Sequence, residues 1–179
     1  MTANDDVAQF AISLNITIRP ARYEDIAKLE WHGEFKHFRQ LFQRSYREQV
    51  EGRRVLLVAD SNGFPIGRLF MQFNSKNKLT SDGKTRAYLY SFNVMELLRG
   101  HGIGNRMMDV AEEMLVERGF KIATIAVAKD NVGALRLYER RGYHTFGEDE
   151  GKWRYYDHRG FLQHVHEPAY LLEKRLDFP

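Results

Sequence analysis

The chain has 179 residues, with 27 Lys and Arg against 24 Asp and Glu, no Cys and four Pro. This length predicts a single folded domain, and a hydrophobic share of 43% with 28% charged residues argues against a disordered chain. The absence of Cys excludes a disulfide scaffold, a thiolate zinc site and a cysteine nucleophile, and no apolar run approaches the ~18 residues of a membrane span. The polar, acidic residues 1–6 and the modest net charge of +3 predict a cytoplasmic protein with neither a membrane nor a nucleic-acid partner.

The spacing of apolar residues in the first part of the chain predicts a strand followed by a helical region. Residues 1–12 are expected to form a loosely ordered lead-in. Residues 13–19 alternate apolar and polar side chains, the period of two typical of a half-buried strand, and Pro20 ends it. Residues 23–51 carry apolar side chains at helical spacing, and Gly33 is expected to divide them into two helices or to kink one.

The remaining elements alternate strands with helices. Residues 54–59 and 65–73 predict a hairpin whose loop, residues 60–63, is slightly longer than the tightest type. Two consecutive strand–helix–strand segments then predict parallel pairing in a mixed α/β fold. The expected strands are residues 87–94, 121–127, 143–147 and 169–176, the helices are residues 103–118 and 131–141, and an extra hairpin occupies residues 152–166.

A glycine-rich turn between the aromatic strand 87–94 and the next helix is the sharpest local signal: Arg99-Gly100-His101-Gly102-Ile103-Gly104. Bare amides at a helix N-terminus favour a phosphate or pyrophosphate, and Arg99 and Arg106 add positive charge. The spacing matches neither a dinucleotide fingerprint nor a nucleoside-triphosphate loop, because it reads G-x-G-x-G deep in the chain and no Lys follows Gly104. A flexible turn that binds nothing is the remaining alternative.

Two motifs resemble those of a known family. Val94 followed by the glycine turn resembles the acetyl-coenzyme A (acetyl-CoA) signature R/Q-x-x-G-x-G/A of the GCN5-related N-acetyltransferases (GNAT family). Residues 130–143, D-N-V-G-A-L-R-L-Y-E-R-R-G-Y, are similar to the family's N-x-x-A-x-x-x-Y-x-x-x-G-F/Y segment. The strong resemblance covers residues 87–147. It implies one acetyltransferase domain over residues 1–179, with helices on both faces of a mixed, mostly antiparallel sheet that has a parallel, splayed pair of strands in its middle.

The resemblance also implies where acetyl-CoA, the co-substrate, would bind. It would lie in the opening between the splayed strands, without a metal. The implied binding residues are the backbone of Phe92, Asn93 and Val94 for the pantetheine arm, the amides of Arg99, Gly100, His101, Gly102, Ile103 and Gly104 with Asn105 for the pyrophosphate, Asn131 and Ala134 beside the pantetheine, and Tyr138 at the sulfur.

The chemistry of acetyl transfer to a primary amine agrees with these roles. A tetrahedral oxyanion is best stabilised by fixed backbone N–H groups, here those near Val94. Tyr138 suits the general acid for the departing thiolate because a phenol stays protonated at neutral pH; an aromatic packed in the core is its alternative role. Without Cys, a cysteine acyl-enzyme is impossible, which favours direct attack in a ternary complex.

The general base and the acceptor are less well defined. Strand 87–94 contains no carboxylate, whereas many family members have a Glu there, so Glu96, Glu30, Glu34 or a chain of waters are the candidates. The acceptor is a small-molecule or protein amine, and the aromatic strand with few acidic residues near it disfavours a polycation. The alternatives to an enzyme are a non-catalytic sensor of CoA or acyl-CoA and a module that binds another diphosphate.

The His residues of the last third predict no metal site. His164 and His166 share one strand face and His158 lies near them in sequence, but no Asp or Glu with ligand spacing accompanies them. His101 is expected to face solvent. The extra hairpin at residues 152–166 is expected to cover one side of the acceptor cleft or to form a homodimer contact.

Overall fold

The computed structural model describes residues 10–176. The strands are β1 (Thr17–Pro20), β2 (Arg54–Ser61), β3 (Phe64–Gln72), β4 (Arg86–Val94), β5 (Ile122–Ala128), β6 (His144–Asp149), β7 (Lys152–Tyr156), β8 (Leu162–His166) and β9 (Ala169–Arg175). The α-helices are α1 (Arg39–Val50), α2 (Ile103–Glu117) and α3 (Val132–Arg140). Short 3-10 segments precede α1 at Tyr23–Asp25, Lys28–Gly33 and Lys36–Phe38, and α2 at Glu96–Leu98.

Seven of these strands form the central sheet, in the order β1-β2-β3-β4-β5-β9-β6. Within it β4 and β5 are parallel and all other neighbours are antiparallel. Strands β7 and β8 form a separate two-stranded sheet. The predicted mixed sheet with a parallel pair in its middle is therefore confirmed.

Helices cover both faces of this sheet, which explains the continuous apolar run of β2. Leu57 belongs to the core cluster that includes Met107 of α2 and Tyr138 of α3. Its neighbour Leu56 points to the other face and packs in a second cluster with Phe42 of α1. Because successive strand residues face opposite sides, a strand covered on both sides must be apolar at every position.

The region before α1 differs from the helices predicted for residues 23–51, because its regular helix starts only at Arg39. The division near Gly33 is present, but it is a reversal of the chain in which Trp31, His32 and Gly33 all have positive φ values of 42°, 57° and 100°. Trp31 is buried there and its Nε1 donates a hydrogen bond to the carbonyl of Pro65 at 2.7 Å. Burial of this side chain against β3 overrides the local helical pattern.

The turn between β2 and β3 is shorter than predicted. Ser61 pairs directly with Phe64, so only Asn62 and Gly63 form the loop, with φ values of 52° and 79°. Two central residues with positive φ are typical of the tightest hairpin turn, and Asn-Gly is its preferred sequence. The expectation of a longer loop was wrong because the strands extend through Asp60 and Ser61, with a bulge at that point.

The amino-terminal residues do not form the full strand that alternation predicted. The expected lead-in lies outside the described residues for positions 1–9, and residues 10–12 have no regular secondary structure, with Phe10 and Ile12 exposed. Strand β1 begins at Thr17 and pairs only with β2, at the edge of the sheet. Among residues 10–176, no helix has the length and apolar character needed to cross a membrane.

Strands β7 and β8 form the extra hairpin that the sequence predicted, and it packs against the start of α1. The rings of Trp153 and Tyr155 lie 6.2 Å and 5.0 Å from the ring of Phe38. Gln40 donates a hydrogen bond from Nε2 to the carbonyl of Asp157 at 2.8 Å. The hairpin is thereby fixed to the α1 face of the molecule.

Candidate functional site

The two parallel strands at the centre of the sheet separate halfway along their length. Strand β4 pairs with β5 only from Arg86 opposite Ile122 to Leu89 opposite Ile125. Beyond Leu89, β4 runs on to Val94 with its β5-facing edge unpaired, and Ser91 has a φ of 53° at an irregularity in the pairing with β3. An unpaired strand edge exposes N–H and C=O groups that an extended ligand can bind.

The glycine turn supplies a second set of free backbone donors at the end of β4. Gly102 is the N-cap residue of α2, with a φ of 82°, and no side chain of the described residues caps this helix. The first hydrogen bond there joins the amide of Arg106 to the carbonyl of Gly102, so the amides of the preceding helical residues have no helical partner. Such an N-terminus is a favourable position for a phosphate group.

The side chains of the turn hold its own backbone together. Arg99 donates from Nε to the carbonyl of Val94 at 2.8 Å and from Nη2 to Oδ1 of Asn93 at 3.0 Å. Nδ1 of the exposed His101 lies 2.9 Å from the carbonyl of Arg99. Arg99 therefore ties the end of β4 to the turn, and the backbone rather than these side chains is free toward a ligand.

Phe92 is the point at which the predicted site segments meet. A Cβ added to Gly104, in the first turn of α2, would lie 3.0 Å from Cζ of Phe92. On the other side the ring of Phe92 is 6.5 Å from the ring of Tyr138 in α3. The end of β4, the start of α2 and α3 are thus adjacent, as the two sequence motifs require if they form one site.

The individual residues of the predicted site occupy distinct environments. Ile103 is buried in the core and contributes only its backbone to the turn, whereas Asn105 is exposed and its carbonyl lies 3.4 Å from Nη1 of Arg141. Asn131 is the N-cap of α3, and its Oδ1 accepts a hydrogen bond from the amide of Ala134 at 3.0 Å. The Nδ2 group of Asn131 makes no hydrogen bond to any described residue and is its available donor.

Tyr138 has a buried ring and a hydroxyl that makes no hydrogen bond within residues 10–176. Its ring packs 5.9 Å from that of Tyr143. Burial, with a smaller contribution from Tyr88, raises the pKa of Tyr138 well above its ordinary value near 10. Tyr138 is therefore protonated throughout the neutral range and has a proton to donate.

The predicted candidates for the general base differ in their surroundings. Glu30 accepts hydrogen bonds from Arg39 at 2.6 and 2.8 Å, which lower its pKa, and Glu34 and Glu96 are exposed. Two further carboxylates, Asp149 and Glu167, flank the extra hairpin in the chain and are not among the candidates predicted from the sequence.

Both carboxylates lie close enough to strand β4 to affect Tyr88. Burial is the main reason that the pKa of Tyr88 is raised, and Asp149 and Glu167 raise it further. No pattern in the sequence could have found them, because they are 61 and 79 residues from Tyr88 in the chain and the tertiary fold brings them near it.

The His residues of the extra hairpin do not meet as ligands. Within residues 10–176 no group of three His, Cys, Asp or Glu side chains is placed to hold a metal ion. His164 and His166 lie on β8 with exposed side chains, and His158 lies in the turn beyond β7.

Comparison with known proteins places this geometry in context. The sequence profile of the acetyltransferase (GNAT) family matches residues 23–143. A spermine/spermidine N(1)-acetyltransferase of Bacillus subtilis is 30% identical over 90 residues, which are 50% of this chain and 56% of that relative, so the match spans little more than half of its length.

Solved structures share the fold at lower identity. The ribosomal-protein-S18-alanine N-acetyltransferase of Escherichia coli has a TM-score of 0.67 at 17% identity, covering 92% of this chain and 96% of the other. Arabidopsis thaliana NAA60, solved in complex with acetyl-CoA, has a TM-score of 0.67 at 19% identity, covering 90% of this chain and 99% of the other.

Proposed function

The chain belongs to the GNAT family of acetyltransferases, and we propose that it transfers the acetyl group of acetyl-CoA to a primary amine by direct attack in a ternary complex. Membership of this family indicates that acetyl-CoA is the acyl donor and that the reaction is acyl transfer. The observation that carries the proposal is the adjacency of the unpaired end of β4, the uncapped start of α2 and the free hydroxyl of Tyr138.

The residues present fit a diphosphate joined to an extended arm. The uncapped amides that follow Gly102 would hold the pyrophosphate, and the unpaired edge of β4 at Phe92–Val94 would pair with the pantetheine arm. Nδ2 of Asn131 would donate to the same arm, while Ala134 leaves space beside it. Bound in this way, acetyl-CoA supplies a thioester carbon that an unprotonated amine can attack.

The protein would then stabilise charge and move one proton. Backbone N–H groups near Val94 would stabilise the oxyanion that forms when the amine attacks the carbonyl carbon. As the C–S bond breaks, Tyr138 would protonate the departing thiolate, and the amine would lose its own proton to a base or to water. Because the chain has no Cys, no cysteine acyl-enzyme precedes this step.

The partners in this proposal are a small-molecule or protein amine. The similar Bacillus protein is named for polyamines and the Escherichia coli enzyme for a ribosomal protein, so family membership alone leaves both classes open. The hairpin formed by β7 and β8 would cover one side of the acceptor cleft, which its packing on Phe38 supports, or would contact a second copy of the chain. A cytoplasmic location stays a prediction that cell fractionation would test.

Replacement of Tyr138 by Phe tests the proposal against a non-catalytic CoA sensor. If Tyr138 is the general acid, kcat falls by about 10²–10⁴-fold while the Kd for acetyl-CoA stays nearly unchanged. Free thiol release measures the first quantity and calorimetric titration the second. A sensor would show no turnover in the unmodified protein with any amine tested.

Tyr143→Phe is the matched control for this experiment. Tyr143 is also buried, in the same cluster, but its hydroxyl donates to Oε1 of Glu112 at 3.0 Å and has a structural partner. Its loss is expected to lower stability by about 1 kcal/mol with little effect on kcat. Equal losses of kcat in the two variants would mean that Tyr138 acts only through packing.

A further inference from the structure

Arg68, on β3, is a buried cation without an anionic partner. Its exposed fraction is 3%, yet Nη1 has no hydrogen-bond partner among the described residues, and Nε donates only to Oγ of Ser91 at 3.2 Å. Within residues 10–176 no carboxylate forms an ion pair with it. Glu34 acts on it only at a distance, from an exposed position.

Aromatic rings surround this guanidinium. Its central carbon lies 4.1 Å from the ring centre of Phe35, 4.8 Å from that of Trp31 and 5.4 Å from that of Phe42. The ring faces attract a cation but accept no strong hydrogen bonds, so they leave Nη1 of Arg68 unsatisfied. Burial accordingly lowers the pKa of Arg68 to about 10.

The chain adopts an unfavourable backbone to build this enclosure. Trp31 and His32 have positive φ values, which bulky residues rarely adopt, and Trp31 is held in place by its hydrogen bond to Pro65. A buried charge without a counter-charge is costly unless a partner pairs with it, and backbone in a rare conformation concentrates at active sites and ligand clamps.

The position of Arg68 associates it with the acceptor side of the proposed site. In the β3–β4 register it lies opposite Asn93, and its hydrogen-bond partner Ser91 precedes Phe92. It points to the α1 face, whereas Tyr138 packs in the cluster with α2 on the other face. Ser91 and Asn93, the β4 residues beside Arg68, are only half-buried.

We propose that Arg68 binds a carboxylate of the acceptor and that the acceptor is a small amino carboxylate, with its amine presented to the thioester. A guanidinium matches a carboxylate with two parallel hydrogen bonds, and aromatic walls that exclude water strengthen such a pair. The same buried charge would repel a polyamine. This inference rests on the proposed acetyl transfer and narrows its acceptor class.

The first experiment compares acceptors that differ only in the carboxylate. Lysine is assayed beside lysinamide and cadaverine, and phenylalanine beside phenylalaninamide and phenethylamine. Within each set the α-amine of the amino acid is more basic than that of the amide and less basic than that of the decarboxylated amine. Basicity alone therefore cannot produce a preference for the acid at this amine. We expect kcat/KM to be about tenfold or more higher for the amino acid than for both analogues.

The second experiment compares Arg68→Met with Arg54→Met. Arg54 also lies over an aromatic ring, 5.4 Å from the centre of Tyr90, but it is already paired with Glu48. Only Arg68→Met is expected to abolish the preference for the carboxylate, and Arg68→Lys should retain part of it. If Arg68→Met does not fold, the comparison of acceptors with the unmodified protein still tests the inference.

Binding of an N-acetyl amino acid in the presence of CoA tests the carboxylate site at Arg68 separately from the proposed acetyl transfer. If the protein binds this product analogue through Arg68 but transfers no acetyl group, the proposed reaction fails and the anion site stands. If amides and decarboxylated amines are acetylated as well as the amino acids, or if Arg68→Met keeps the preference, Arg68 has only a structural role. Acetylation of peptide amines without any carboxylate requirement would likewise overturn the inference.

Discussion

The backbone conformation of the proposed diphosphate site depends on glycine at position 102. Its φ is 82°, and a Cβ added there would meet no atom within 4 Å. No contact within the described part of the protein therefore requires glycine at this position, but the left-handed conformation does. At Gly104 the reverse holds, because an added Cβ would approach Phe92.

Gly102→Ala is expected to weaken acetyl-CoA binding by displacing the first amides of α2. The conformational cost of a non-glycine residue there is about 1–2 kcal/mol. Gly119, just beyond the other end of α2, is the matched control, since its φ is 84° and a Cβ would again meet no atom within 4 Å. Both substitutions should lower Tm by a similar amount, and only Gly102→Ala should raise the Kd measured by titration. Equal affinities would place the phosphates elsewhere.

At the scale of the elements, a cluster of polar groups fixes α3 against α2 and so positions Tyr138. Oε2 of Glu112 in α2 accepts from Nζ of Lys174 at 2.6 Å, and Oε1 accepts from the hydroxyl of Tyr143 at 3.0 Å and from Nη2 of Arg141 at 3.3 Å. These partners come from β9 and from the end of α3. Arg141, the C-cap of α3, also pairs with Asp109 of α2 at 2.8 Å, so the end of α3 stays tied to α2 even without the hydroxyl of Tyr143.

The extra hairpin depends on a close backbone approach at its base. A Cβ added to Gly151 would lie 1.7 Å from the carbonyl oxygen of Glu167, whose amide donates to the carbonyl of Gly151 at 3.0 Å. Backbone at that distance must move if any side chain is introduced. The position therefore requires glycine for space as well as for its φ of 66°.

Gly151→Ala is expected to displace the hairpin from α1 and to raise the KM for the acceptor. The Kd for acetyl-CoA should change by less than about twofold, because no residue of the hairpin is among those proposed to hold acetyl-CoA. Gly160, at the tip of the same hairpin, has a φ of 86° and open space around it, so Gly160→Ala is the control. Steady-state kinetics with the amine varied measures the effect. An unchanged KM together with a changed oligomeric mass would assign the hairpin to a dimer contact instead.

For the whole molecule, buried tyrosines predict a loss of stability at alkaline pH. Burial is the main reason that the pKa values of Tyr88, Tyr138 and Tyr143 are raised. Above about pH 10 the unfolded chain loses these phenolic protons while the folded chain retains them. The unfolded state then binds fewer protons, so the free energy of unfolding falls as pH rises.

Thermal unfolding between about pH 8 and pH 11 tests this expectation. Tm should be nearly constant up to about pH 10 and should decline above it, and phenolate absorbance of the buried tyrosines should appear together with unfolding. In Tyr143→Phe the decline should be shallower. Phenolate absorbance that developed fully in the folded protein near pH 10 would contradict the burial argument.

The sequence alone determined the order of the elements and the glycine turn before α2, and its resemblance to a known family pointed to Asn131 and Tyr138, because each of these signals depends on residues close together in the chain. The periodicity of residues 23–38 wrongly predicted regular helix. Burial of Trp31 against β3 instead reverses the direction of the chain there. Only the tertiary structure decided where β4 leaves β5, which carboxylates lie near Tyr88, and that Arg68 is enclosed by rings without a counter-charge. These features arise from contacts between residues far apart in sequence, and no local pattern of side chains records them.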